Sequence, residues 1–133
     1  MPIVGTGIDV AEVARVRAAL EDPQTGARFT ARVFTVGEQQ YCEGRGASRY
    51  QSYAARFAAK EATMKALGSG WGRLIGWLDI EIARETDGRP MVRLHGKGAA
   101  LAASVGVTRL HVALTHTREI AVAQVVVERD AAA

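Results

Sequence analysis

The strongest helix pattern in this chain is SRYQSYAARFAAKEATMKAL, residues 48–67. It is rich in Ala, contains neither Gly nor Pro, and is followed by Gly68, which predicts one long helix. On that helix Phe57, Glu61 and Met64 share one face at the spacing i, i+4, i+7. A carboxylate within an apolar stripe is costly unless a cation satisfies it. The helix therefore organises the core and also carries a first candidate functional residue, Glu61.

Shorter elements surround this helix on both sides. Alternating apolar residues predict strands, apolar residues at helical spacing predict helices, and Gly, Pro and Asp-Gly pairs predict the turns between them. The result is an α+β chain, with helices early and a mostly antiparallel sheet late. The predicted elements are strands over 3–8, 78–82, 91–94, 110–114 and 120–127, helices over 10–20, 27–34, 36–42, 48–67 and 98–105, and a hairpin turn over 86–90.

The length and composition predict one globular domain. A chain of 133 residues, 48% hydrophobic and 23% charged, can bury one core but not two. No linker or internal repeat divides it, so we expect a single compact domain over 1–133, with a frayed tail at 131–133. No apolar run approaches the length of a membrane span, and the first residues lack the pattern of a signal peptide.

The charge and the cysteine content limit the classes of binding partner and the cellular compartment that we expect. The net charge is +3 and all but three of the 17 basic residues are arginines, scattered along the chain. Neither clustering nor aromatic interleaving points to nucleic acid. An anionic small ligand or an acidic protein partner fits the modest excess better. The single cysteine, Cys42, cannot form an intrachain disulfide, so we expect a cytoplasmic protein.

Three side chains do not fit a purely structural interpretation. Asp9 follows two glycines at a predicted strand–helix junction, where it is either a helix N-cap or a ligand for a hard divalent cation. Glu61 either forms a surface ion pair with Lys65, four residues on, or joins Asp9 around such a cation. His116, with a threonine on each side, is either a solvated turn residue or a phosphate contact. Spacing alone leaves these alternatives open.

Three motifs, in order along the chain, carry a resemblance. They are GIDV at 7–10, RFAAKEATMKA at 56–66, and LTHT at 114–117. Together they resemble the holo-acyl-carrier-protein synthase family, which are 4′-phosphopantetheinyl transferases, over about residues 3–128. Thr115 stands where serine is common in that family, which keeps a hydroxyl, and the loop over 21–27 is a few residues longer than usual.

The resemblance implies an activity and a site. The family transfers 4′-phosphopantetheine from coenzyme A to a serine of apo-acyl carrier protein and releases adenosine 3′,5′-bisphosphate, in service of fatty-acid synthesis or a specialised pathway. It implies that Asp9 and Glu61 hold Mg²⁺ and that Lys65 contacts the phosphates. The further substrate-binding residues that it implies are Arg56, Lys60, Gly88, Arg89, Pro90, His116 and Thr117.

The family also implies assembly and a protein partner. A homotrimer is expected, with the hairpin over 87–90 and His116 contributed by the neighbour of the protomer that supplies Asp9 and Glu61. Acyl carrier proteins are acidic, and Arg15, Arg17 and Arg28 are the expected steering residues. Arg15 and Arg17 lie about 200° apart on a helix, so both cannot face one partner centrally.

Two other classes of protein remain open from the residues alone. A non-catalytic nucleotide or coenzyme A binding module would need the basic pocket but no metal. A structural oligomerisation domain would use Glu61 and Lys65 only as a helix ion pair. Two carboxylates have no use in holding an anion without a metal, so Asp9 and Glu61 together separate the enzyme from both alternatives.

Overall fold

The computed structural model describes residues 2–69 and 74–130. Five helices and five strands are found in these ranges, which confirms the α+β class and the mostly antiparallel pairing. In chain order they are β1 (Ile3–Glu12), α1 (Val13–Glu21), α2 (Gly26–Val33), α3 (Val36–Glu43), α4 (Arg49–Ala66), β2 (Ile80–Arg84), β3 (Pro90–Leu94), α5 (Gly96–Ser104), β4 (Arg109–His116) and β5 (Ile120–Glu128).

The strands form two antiparallel sheets. One has the order β1-β5-β4, and the other is the β2-β3 hairpin. The hairpin turns at Gly88, whose φ of +90° is open to glycine at little cost. Short 3₁₀ turns at Gly46–Ser48 and Trp77–Asp79 lead into α4 and β2. The predicted strand over 78–82 is therefore shortened at its start.

The central helix α4 packs across one face of the three-stranded sheet. β1 approaches it closely because two glycines lie at the contact: a Cβ on Gly7 would come 2.0 Å from the Ala62 carbonyl oxygen, and one on Gly5 would come 2.0 Å from that of Ala66. Any side chain would push the strand off the helix. These glycines thus set the distance between β1 and α4, as the sequence led us to expect.

The N-terminal strand is longer than predicted. β1 continues through Glu12, and α1 begins only at Val13. Asp9 therefore lies inside a strand, paired with Ala123 of β5, and its interpretation as a helix N-cap is wrong. The reason is tertiary, since the backbone of 9–12 pairs with β5 instead of turning into a helix.

The core lies between α4 and the inner face of this sheet. Along β1 the inward side is that of Gly7, Asp9 and Ala11, opposite buried β5 residues. On the outward side, by contrast, Ile8 is 59% exposed and Val10 is 57% exposed. The sheet thus presents an apolar outer face that this single chain does not cover.

Candidate active site

Lys65 joins α4 to β1 at the edge of the inner face. Its Nζ donates to Asp9 Oδ1 at 2.9 Å and to the Ile8 carbonyl oxygen at 3.0 Å. The hydrogen bond to Asp9 raises the pKa of Lys65, desolvation opposes this, and the charges of Asp9 and Glu61 add to the rise. Asp9 and Glu61, 52 positions apart in the sequence, thus both act on the same ammonium. The ion pair that Lys65 forms here is with Asp9, at 2.9 Å, so its i, i+4 spacing from Glu61 does not by itself explain the position of Lys65.

The donor set here suits a hard cation. Carboxylate oxygens are the protein ligands that Mg²⁺ prefers, and Mg²⁺ commonly takes only one or two of them together with phosphates and water. Among the described residues, no group of three or more His, Cys, Asp or Glu side chains could hold a metal ion. A Mg²⁺ ion held by Asp9 and Glu61 would therefore need phosphate oxygens or water to complete its coordination.

A cavity of about 380 Å³ opens beside Glu61. Its lining is mostly apolar, with Val16 from α1, Phe29 from α2 and Phe57 from α4. Phe57 also stacks on Trp77, with ring centroids 4.9 Å apart. Trp77 is partly buried, and Trp71 lies outside the described residues.

A second cavity, of about 310 Å³, is strongly basic. Arg56 is 3% exposed at its edge, and its Nε and Nη2 have no hydrogen-bond partner. Its guanidinium lies 4.1 Å from the Tyr41 ring centroid, and Arg84 and Arg45 approach the same ring at 5.0 and 5.6 Å. His116 completes the wall. Buried, unsatisfied guanidinium groups are costly, so this arrangement favours an anionic ligand.

Sequence reasoning missed part of this second cavity. Arg56 and His116 were predicted, and the structure brings them together. Tyr41, Arg45 and Arg84 were not predicted, because they lie in α3, the following loop and β2 and share no motif. Only the excess of arginine over lysine hinted at a shared anion site.

The expectation that Lys60 contacts substrate is wrong in this structure. Its side chain is fully buried, and its Nζ lies 2.7 Å from Glu38 Oε1. It also donates to the carbonyl oxygens of Val33, Ile80 and Trp77, at 2.7, 2.8 and 3.1 Å. Burial lowers the pKa of Lys60, an effect that the Glu38 carboxylate opposes. With four oxygen partners and no exposed surface, this ammonium is occupied inside the fold.

The other predicted substrate residues lie in two turns or at the strand ends beside them. Gly88 and Arg89 belong to the β2-β3 turn, where Arg89 Nε bonds Asp87 Oδ2 at 2.7 Å. Pro90 follows and lines the Arg56 cavity. The Thr117 hydroxyl accepts from the backbone of Glu119 and Ile120, which shapes the turn after β4. His116 itself is the last residue of β4, not part of the turn.

The three predicted steering arginines do not share one face. Arg15 lines the cavity beside Glu61. Arg17 instead lies over the Tyr50 ring, at 4.7 Å from its centroid, and pairs with Glu21. Arg28 is exposed on α2. Arg15 and Arg17 thus have different neighbours, and the argument that both cannot face one partner centrally stays a prediction.

Two other features bear on the class of protein. Cys42 is fully buried, and this desolvation raises the pKa of its thiol to about 12, which does not suit a nucleophile. Within 2–69 and 74–130, no helix combines the length and apolar character needed to cross a bilayer.

Comparison with known proteins identifies the class. The family model of the 4′-phosphopantetheinyl transferase superfamily matches residues 5–125. The holo-[acyl-carrier-protein] synthase of Solibacter usitatus is 44% identical over 126 residues, which are 95% of this chain and 98% of that protein.

Solved structures agree with the sequence match. One is a holo-(acyl-carrier-protein) synthase from Bacillus anthracis in complex with CoA (3′,5′-ADP), with 34% identity, a TM-score of 0.77, and coverage of 96% of this chain and 98% of that one. Another is the Helicobacter pylori enzyme in complex with coenzyme A, with 28% identity, a TM-score of 0.80, and coverage of 92% and 99%.

The fold and the matches together define a group-transfer enzyme with an antiparallel α+β domain. The chain belongs to the 4′-phosphopantetheinyl transferase superfamily. The relatives quoted above are holo-[acyl-carrier-protein] synthases, so the resemblance drawn from the three motifs is confirmed, and the chain is an enzyme of this class.

Proposed function

We propose that this chain transfers 4′-phosphopantetheine from coenzyme A to a serine of apo-acyl carrier protein, giving holo-acyl carrier protein and adenosine 3′,5′-bisphosphate in a Mg²⁺-dependent reaction. The observation that carries the proposal is the position of the Lys65 ammonium, bonded to Asp9 and within the field of Glu61. Two carboxylates acting on one ammonium leave a net negative charge that would repel a phosphate group, so the arrangement suits a phosphate only together with a divalent cation.

Asp9, Glu61 and Lys65 are the proposed catalytic residues. Asp9 and Glu61 would hold Mg²⁺, which when bound supplies neutralisation of charge on the phosphate oxygens. Lys65 is bonded to Asp9 and lies within the field of Glu61, and it would donate to those oxygens. The attacking serine must lose a proton, and we propose that the Glu61 carboxylate or a water near the metal accepts it.

Coenzyme A would use the basic cavity for one of its phosphate groups. The two unpartnered nitrogens of Arg56 and the nearby guanidinium of Arg84 offer several donors to one anion. His116 would add a further donor. Arg89, Gly88 and Pro90 are proposed to border the nucleotide from the hairpin, with Thr117 holding the turn that carries His116.

The active unit is proposed to be a homotrimer. The apolar outer face of the sheet, with Ile8 and Val10 more than half exposed, supports burial against other copies. The Glu61 cavity and the Arg56 cavity share no lining residue within one chain. An active site that needs both cavities therefore fits an interface between two protomers. There Asp9 and Glu61 of one protomer would meet Arg56 and His116 of its neighbour.

The acidic carrier protein is proposed to approach along α1. Arg15, 82% exposed beside the Glu61 cavity, would face it most directly. Arg17 and Arg28 would act at the edges of the contact. Because exposed charges mainly affect association, we expect added salt to slow the reaction through the rate of encounter. The compartment we propose is the cytoplasm, since the one cysteine is a buried free thiol.

The direct test is mass spectrometry of an apo-acyl carrier protein incubated with this chain, coenzyme A and Mg²⁺. We expect the carrier to gain one phosphopantetheine group on a serine, and we expect no gain when EDTA replaces Mg²⁺. Coenzyme A binding without modification of any carrier serine would indicate a binding module and would overturn the proposal.

A further inference from the structure

The buried Lys60–Glu38 pair lies at a junction of four segments. The Lys60 ammonium donates to Val33 at the end of α2 and to Trp77 and Ile80 at the start of the hairpin. Glu38 bonds it at 2.7 Å from α3. Glu38 Oε2 also accepts from the Ile82 backbone at 2.7 Å. One ion pair thus connects α2, α3 and the hairpin to α4.

These contacts converge on the cavity beside Glu61. Trp77, whose carbonyl oxygen accepts from Lys60, stacks its ring on Phe57 at 4.9 Å and an interplanar angle of 20°. Phe29, on the helix whose last carbonyl Lys60 holds, approaches Phe57 at 6.2 Å. Phe29 and Phe57 both line that cavity. The ammonium therefore fixes the backbone behind two of its walls.

A contribution to the free energy of unfolding does not by itself explain why the Lys60–Glu38 ion pair is buried. The cost of removing two charges from water offsets most of their attraction, and apolar residues of similar volume often stabilise a core equally well. Hydrogen bonds to three carbonyl oxygens, however, are directional, and an apolar side chain cannot fix those oxygens in the same way. The pair thus specifies where the three segments lie.

We propose that Lys60, with Glu38, is a positioning residue for the reaction: it fixes the aromatic wall formed by Phe29 and Phe57 and backed by Trp77, whose ring stacks on Phe57, and so fixes the shape of the cavity in which Glu61 works. This inference rests on the proposed function for its kinetic consequence. The structural consequence, a displaced Trp77, is independent of the proposed function, because the position of Trp77 can be measured without any substrate.

The test uses a Trp71→Phe background, in which Trp77 is the one tryptophan left in the chain. Lys60→Met is compared with Lys60→Met/Glu38→Gln, which leaves no buried unpaired charge and keeps the protein folded if the single variant does not fold. Lys97→Met, at an exposed lysine of α5, is the matched control. Trp77 emission, acrylamide quenching and carrier modification are measured at a temperature where each protein is folded.

We expect the double variant to show red-shifted, more quenchable Trp77 emission. We expect its kcat to fall on the order of tenfold to a hundredfold, as displacement of site walls does. Its KM for coenzyme A should change less than about twofold, because the Arg56 cavity shares no lining residue with this one. The Lys97 control should match the parent in all three readouts.

Two results would overturn the inference. One is a folded double variant with parental Trp77 emission and parental kcat, even if its melting temperature falls, because the pair would then only stabilise the fold. The other is altered Trp77 emission with unchanged kcat. If the parent protein itself modifies no carrier, the proposed function fails, while the emission data still decide whether Lys60 positions the wall.

Discussion

The ammonium of Lys65 on α4 lies 2.9 Å from the carboxylate of Asp9 on β1, although 55 residues separate them in the chain. Asp9 is held at this point by its strand pairing with Ala123, and Lys65 by the last turn of the helix. The contact brings one end of the sheet, the long helix and the charge of Glu61 to one place. Substitutions at this contact and on the surfaces around it should therefore have distinct effects on activity, assembly and stability.

Removing the carboxylate of Asp9 or of Glu61 should slow phosphopantetheine transfer, because Mg²⁺ would be held less tightly. For Asp9→Asn and for Glu61→Gln we expect kcat/KM to fall on the order of a hundredfold or more, with a raised Mg²⁺ requirement, because each loses a charged oxygen ligand. Rates measured across a Mg²⁺ series check this. Glu119→Gln, in the turn after β4, is the control. Near-parental rates of both variants at low Mg²⁺ would show that these residues do not hold the metal.

Arg56→Met should weaken coenzyme A binding without lowering the stability of the fold. The guanidinium is buried with two unpartnered nitrogens, so its replacement should leave the melting temperature unchanged or raise it. Loss of its charge-assisted hydrogen bonds should raise the KM for coenzyme A on the order of tenfold to a hundredfold. Arg32→Met on α2 serves as the exposed comparison. A sharp loss of stability with unchanged KM would mean that Arg56 is structural.

Gly7→Ala should destabilise the whole domain. The added methyl group would lie 2.0 Å from the Ala62 carbonyl oxygen, so β1 must move away from α4. We expect the free energy of unfolding to fall by about 3 kcal/mol, measured by urea denaturation. Gly44→Ala, with φ of −74° and no neighbour nearer than 3.4 Å, should change it by less than about 0.5 kcal/mol. Equal effects at both positions would contradict the close approach of strand and helix.

Ile8→Lys should weaken oligomerisation. Ile8 is 59% exposed on the outer face of the sheet, and a buried unpaired lysine would oppose assembly there. We expect sedimentation to shift from a trimer toward monomers, and specific activity to fall with it. Val36→Lys, at a somewhat more exposed apolar residue of α3, should leave the trimer intact. A monomeric parent protein with full activity would rule out a site shared between protomers.

Cys42 should be unreactive in the native protein. Burial raises the pKa of its thiol to about 12, so iodoacetamide at pH 8 should label it only after denaturation. Above about pH 9 the unfolded thiol loses its proton while the folded one keeps it, so unfolding becomes easier as pH rises, by at most about 1.4 kcal/mol per pH unit. Cys42→Ala should show a shallower fall than the parent. Rapid native labelling would contradict this burial.

Much of the fold was predictable because its causes are local. The helix over 48–67 follows from its composition and its glycine stop, and the later strands follow from alternation, so these predictions are confirmed within a few residues. The first strand was predicted too short, because pairing with β5 extends it and no local pattern records a distant partner. Motif order was enough to identify the family.

For Lys60 and Lys65, the sequence did not predict which side chain is buried and which is exposed. Both lie in one motif on one helix, and nothing in their spacing distinguishes a ligand-facing lysine from a structural one. The structure buries Lys60 against Glu38 and leaves Lys65 54% exposed beside Asp9. Likewise Arg45 and Arg84 join Arg56 only through the folded chain. Local patterns were enough to predict the long helix, most of the strands and the family. Which charges are buried and which meet depends on the folded chain, because desolvation and ion pairing involve neighbours that lie far away in the sequence.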